Sequence, residues 1–92
     1  MTPQSAQDLA LEALGFLASD TELLGHFLAQ SGASPDDLRS AAQNPEFLGF
    51  VLDFLLLDDA SVLAFAQATD HPPESVAIAR ATLPGGNLPN WT

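Results

Sequence analysis

Apolar residues recur along this chain in short groups spaced three and four apart, and a helix-capping residue opens each group. Thr2-Pro3 opens the first, with proline at the first helical position. Leu9, Ala13, Phe16 and Leu17 share one face there, Gln7, Asp8 and Glu12 lie opposite, and Leu11 is left exposed. "SDTE", Ser19 to Glu22, reads as a capping box for a second helix. Leu23, Leu24, Phe27 and Leu28 form its apolar stripe, and Gly32 is its stop. "SPDD" at 34–37 opens a short third helix carrying Leu38, Ala41 and Ala42. "NPEF" at 44–47 opens a fourth. "DDAS" at 58–61 opens a fifth with Val62, Phe65 and Ala66, and "HPPE" at 71–74 a sixth with Val76, Ala79 and Leu83. "LPGG" at 83–86 ends the series, because proline and paired glycines do not continue a helix.

The fourth group, "FLGFVLDFLLLDD" at 47–59, is apolar around most of its circumference. Phe47, Phe50 and Phe54 make one stripe and Leu48, Leu52, Leu55 and Leu56 another, with Val51 between them. Glu46, Gly49 and Asp53 share the remaining strip, which places Asp53 towards solvent. A membrane span needs about 20 apolar residues, whereas Asp53 interrupts this run after Leu52. The expectation is a central core helix over residues 45–57. No stretch carries a strand signal. The fold class expected is therefore all-α: one small bundle of five to six helices over residues 1–86, followed by a C-terminal tail, 87–92.

A shift of 38 residues superposes Leu24 on Val62, Phe27 on Phe65, Pro35 on Pro73, Asp36 on Glu74, Leu38 on Val76 and Ala41 on Ala79. This suggests two similar helix hairpins flanking the fourth helix. Chance alignment of capped, leucine-rich helices explains the same match.

Composition agrees with helices: sixteen leucines and six phenylalanines stand against three valines, one isoleucine and no tyrosine. Charge narrows the partners. Twelve acids face two arginines, Arg39 and Arg80, and there is no lysine, for a net charge of −10. Nucleic acids and anionic membrane surfaces both need several Lys or Arg contacts, so neither is an expected partner. A basic protein partner fits. Eight of the acids (Asp20, Glu22, Asp36, Asp37, Glu46, Asp58, Asp59 and Glu74) fall at helix starts, where free N–H groups and the positive dipole end favour them.

Candidate chemistry is sparse. His26 lies four residues from Glu22, the spacing of a surface ion pair. His71 sits beside Asp70 and Glu74 in a loop-and-cap setting, and two histidines 45 residues apart form no ligand pattern. Asp58-Asp59 lacks the alternating ligands and central glycine of a calcium loop. Gly85-Gly86 has no following lysine for a phosphate loop. None of the serines sits in a nucleophile elbow. With no cysteine there is no disulfide framework and no thiolate site. No catalytic, cofactor-binding or metal-binding residue is expected, and the protein reads as a non-enzyme. The N-terminus lacks a positively charged signal-peptide region, so a cytoplasmic location is expected.

Two residues stand out as partner contacts: Leu11, apolar on a polar face, and Trp91, the sole tryptophan, in "NLPNWT". Trp91 either folds back to close the core or belongs to a short peptide that a partner reads. The leading functional expectation is a non-catalytic protein–protein interaction module or self-associating bundle. The alternative is a bundle binding a small apolar ligand among Phe47, Phe50, Phe54 and Phe65.

The ordered motifs "SPDDLR", "VLDFLLLDD" and "LPGG" resemble a family of small, acidic bacterial proteins of unknown function, over about residues 20–86. The resemblance implies a bacterial cytoplasmic protein and assigns no functional residue.

Overall fold

Local capping chemistry fixes most of the helix boundaries. In the computed structural model, which describes residues 1–83, helix α1 spans Pro3–Ala18, and the Thr2 side chain accepts from the Ser5 N–H at its start. α2 spans Thr21–Ser31. A 3-10 turn, Pro35–Asp37, runs directly into the single-turn helix α3, Leu38–Ala41. α4 spans Pro45–Leu56, opened by the Asn44 side chain accepting from Glu46 N–H at 2.9 Å. α5 spans Asp59–Thr69, opened in the same way by Asp58 accepting from Ala60 N–H. α6 spans Glu74–Thr82, and Leu83 turns extended immediately before Pro84, as the clash of a proline ring with the preceding residue requires. Among the described residues there is no strand.

One cap differs from the reading of "SDTE". Ser19 closes α1, its N–H bonding back to Gly15 and Phe16 carbonyls and its hydroxyl donating to the Phe16 carbonyl. The first extended residue is Asp20, whose carboxylate accepts from the Glu22 and Leu23 N–H groups. A residue spent on ending one helix cannot also start the next. At the far end of α2, Gly32 takes the left-handed conformation at φ 75°, and its N–H bonds the Leu28 carbonyl.

The core is a three-helix arrangement in which α1, α4 and α6 pack on one another. α2 lies on α1, and α5 lies on α4 and α1. The centre is thus shared: α1 buries Ala6, Leu9, Ala10, Ala13, Leu14 and Leu17 and touches more of the bundle than α4 does. Its three alanines let the neighbouring helices approach closely. α2 and α5 do not pair as hairpins with the helices that follow them. Both dock on the shared centre instead, and α3 is a single turn where α6 has nine residues. The 38-residue match therefore reflects repeated capping chemistry, not repeated packing.

α4 turns its leucine stripe inward: Leu48, Val51, Leu52 and Leu55 are buried. Leu56 is exposed, and Gly49, which shares the polar strip on the wheel, is buried. The phenylalanine stripe wraps one ring from α2. Phe27 is fully buried, with ring centroids 5.7, 5.6 and 5.4 Å from Phe47, Phe50 and Phe54. Phe47 and Phe54 meet it edge-on, the arrangement favoured by the ring quadrupoles. Phe65 belongs to a separate contact, edge-on to Phe16 at 5.7 Å. Among the described residues no polar or charged side chain is buried.

Candidate functional site

A shallow groove of about 430 Å³ lies between α1 and the segment 35–42. One wall is the outer face of α1, Leu11, Gly15 and Ala18, with the buried Leu14 at its base. The other is Pro35, Leu38, Arg39 and Ala42. Its origin lies in two local facts. Leu11, Gly15 and Ala18 follow one another at i, i+4 and i+7, so they form a straight row on the face of α1 away from the core. Two of those three residues are small, so the row is recessed. α3 is too short to cover it and presents Leu38 and Arg39 to its edge, with Ala42 just past its end. Leu11 is 43 % exposed at the rim. A β-carbon added at Gly15 would meet no atom within 4 Å, so the space above that residue is open.

A polar pocket of about 320 Å³ continues the groove past Pro35 and Arg39, with Asp36 and Ser40 completing it. Around the 3-10 turn, the Asp37 carboxylate accepts from both the N–H and the hydroxyl of Ser34, at 3.2 and 2.9 Å. Those bonds favour its ionised form and hold its pKa below the usual aspartate value of 3.8. Arg39 makes no ion pair among the described residues, and lies with Pro35 where the two spaces meet.

Two polar contacts tie distant elements together outside this groove. His71, in the α5–α6 connection, lies 2.8 Å from the Glu12 carboxylate on α1 and stacks on Phe65 with centroids 6.1 Å apart. Arg80 on α6 donates through Nε to Asp53 on α4. His71 is therefore a tether rather than a cap, the N-cap position of α6 being Pro73. Asp53 is solvent-facing as its wheel position predicts, with a side chain 46 % exposed, yet it is paired with an arginine 27 residues away.

The other predicted residues distribute as follows. Glu22 and His26 are both exposed on α2 and are not paired with each other. Asp58 is a cap, as is Asn44. Phe47, Phe50 and Phe54 do not enclose a space with Phe65: Phe27 fills the centre of the three rings, and Phe65 pairs with Phe16 and His71. No three His, Asp or Glu side chains among the described residues are grouped to hold a metal ion. Trp91 and Gly85-Gly86 lie outside the described residues. Leu11 was legible as a misplaced apolar residue. Its opposite wall was not, because the sequence places Leu38 and Ala42 on a short helix without naming the element that helix faces.

An acidic bundle of short capped helices with an open apolar groove is the class these features define. Residues 3–86 match the family described as a protein of unknown function, DUF3572, and the chain belongs to that family. No curated protein and no solved structure gives a significant match. Among the described residues, no helix is long and apolar enough to cross a membrane.

Proposed function

We propose that this protein is a non-catalytic interaction module that binds a protein partner or a second copy of itself. The observation that carries the reading is the groove beside Leu11, an open apolar surface built on the outer face of a rigid, well-packed helix. A surface of that kind loses water favourably only when another apolar surface covers it. The titratable side chains give no competing reading. The two tethers, Glu12–His71 and Asp53–Arg80, join α1 to the α5–α6 connection and α4 to α6, and most of the remaining acids lie at helix starts, as caps or in the first turn. The small-ligand alternative has no such support, because Phe27 already occupies the centre of the phenylalanine cluster.

A cytoplasmic, bacterial setting is part of this proposal. It rests on the absence of cysteine and on the motif resemblance described above. Exclusion of nucleic acid belongs to it too, since two arginines against twelve acids cannot supply phosphate contacts.

The test combines mass in solution over a wide concentration range with affinity capture by the intact chain and by Leu11→Ser. A dimer, or a stoichiometric captured protein, that is lost in Leu11→Ser while the helical circular dichroism is kept supports the proposal. A monomer that captures nothing, or captures equally with both chains, overturns it. Lipid or a small molecule co-purifying in stoichiometric amount overturns it in favour of ligand binding.

A further inference from the structure

The groove beside Leu11 also carries information about the chemistry of its occupant. Its α1 wall is a row at i, i+4 and i+7, two turns long, with a recess over Gly15 and Ala18. A groove of that form suits the apolar stripe of another helix, whose side chains recur at the same spacing. Small residues let the two backbones come close. Three exposed acids flank the groove-forming residues in sequence without lining the groove itself. Asp8 is exposed on α1 one turn before Leu11, and Asp36 and Asp37 are exposed where the opposite wall begins. Of the charged side chains only Arg39 lines the groove, and Asp36 lines the polar pocket that continues it.

We propose that the groove between α1 and residues 35–42 docks an amphipathic basic helix of a partner protein, its apolar stripe on Leu11, Leu14 and Leu38 and its Lys or Arg residues against Asp8, Asp36 and Asp37. This inference rests on the interaction-module reading above and adds the partner's chemistry to it. Charge complementarity selects the occupant. A second copy of the chain would bring a further net charge of −10 to a molecule that already carries −10, whereas a basic helix is drawn to it from a distance.

The experiment uses the intact chain and three synthetic helical peptides. The first has leucine at i, i+3, i+4 and i+7 and lysine on its polar face. The second carries glutamate in place of lysine. The third keeps every lysine and replaces each leucine by serine. Amide chemical-shift mapping gives the site and titration the affinity. The expected result is binding of the first peptide, with shifts centred on Leu11, Gly15, Leu38 and Ala42. The other two bind at least about tenfold more weakly. Added salt weakens the first. Gly15→Leu, which fills the open space in the groove at a helix-compatible position, removes the binding and keeps the fold. Leu38→Ser serves as the second variant.

Equal binding of the leucine and serine peptides shows plain charge attraction and overturns the inference. So do shifts centred on other helices. Equal or tighter binding of the glutamate peptide overturns the basic partner while the interaction-module reading stands. Failure of all three peptides overturns the basic partner as well. The module reading falls with it only if the chain is also monomeric and captures no protein.

Discussion

Arg80 on α6 donates its Nε–H to the carboxylate of Asp53 on α4, and the two residues differ in exposure. The arginine side chain is 17 % exposed and the aspartate side chain 46 %. The pair spans two of the three helices that form the core, and it lies at the edge of that core where water still reaches one partner. Asp53 is therefore neither a free surface charge nor a buried one. It holds a largely covered guanidinium in place.

The energy of this pair is expected to be modest, because water screens the aspartate. Asp53→Asn should cost about 0.5–1 kcal/mol, more than an unpaired surface aspartate would. A double-mutant cycle with Arg80→Met, read by urea unfolding, should show a coupling of similar size that shrinks with added salt. Zero coupling at low salt would show that the contact contributes nothing to stability.

Burial sets a rank order for core truncations. Phe27→Ala removes a fully buried ring enclosed by three others and should cost about 3–5 kcal/mol. Leu52→Ala, also fully buried, should cost about 2–5 kcal/mol. Phe50→Ala should cost less than Phe27→Ala, since Phe50 is only partly buried, and Leu56→Ala should stay within about 0.5 kcal/mol. Denaturant melts that reverse Phe27 and Phe50 would contradict the packing around α2.

Two glycines should respond in opposite directions. Gly15 lies inside α1 with open space where a β-carbon would go, so Gly15→Ala should stabilise by about 0.5–1 kcal/mol through helix propensity. Gly32 ends α2 at φ 75°, where an L side chain crowds its own carbonyl, so Gly32→Ala should destabilise by about 1–2 kcal/mol. Thermal unfolding of the two variants side by side checks both signs.

Asp37 should titrate below its ordinary value of 3.8, and Ser34→Ala should return it towards that value by removing the hydroxyl bond. A carboxylate with a depressed folded pKa adds stability that is full above its unfolded value. That stability is lost as pH falls through the folded value. The Ser34 variant should therefore differ from the parent above about pH 4 and converge with it in stronger acid. Side-chain NMR titration of Asp37 gives the shift directly; the Ser34 N–H bond is kept in Ser34→Ala, so an unchanged midpoint there would refute the hydroxyl's share alone.

A mobility-shift assay with duplex or single-stranded DNA at low salt should show no complex. The field of a chain with net charge −10 repels phosphate before contact. A shift that survives ordinary salt would contradict the partner class proposed above.

Much of the fold was legible because its causes are local. Thr2, Asn44 and Asp58 each accept from a backbone N–H two or three residues ahead, so the reading needs only a four-residue window. Gly32 needs no more than its own backbone freedom and Leu28 four residues back. Periodicity adds which face of each helix is apolar, as with Leu48, Leu52 and Leu55 on α4. All-α class, helix order and nearly every boundary follow from such short-range terms. The exceptions are Ser19 against Asp20, where two helices compete for one capping residue, and the start of α6, where Pro73 rather than His71 takes the N-cap position.

Packing partners were not legible, because an apolar face does not name what covers it. The sequence alone determined that α4 is apolar almost all round. Only the tertiary structure decided that its leucines meet α1 and α6 while its phenylalanines surround Phe27. It also decided that α1, threaded with alanines, shares the centre. The same holds for polar contacts across the chain. Glu12 and His71 are 59 residues apart, and Asp53 and Arg80 are 27 apart. No local spacing joins either pair, and both exist because the helices carrying them cross there. Leu11 shows the division most plainly. Its exposure follows from its place on the α1 wheel. Leu38 and Ala42 face it across a groove because a one-turn helix, held between Gly32 and Pro45, is too short to close over that row.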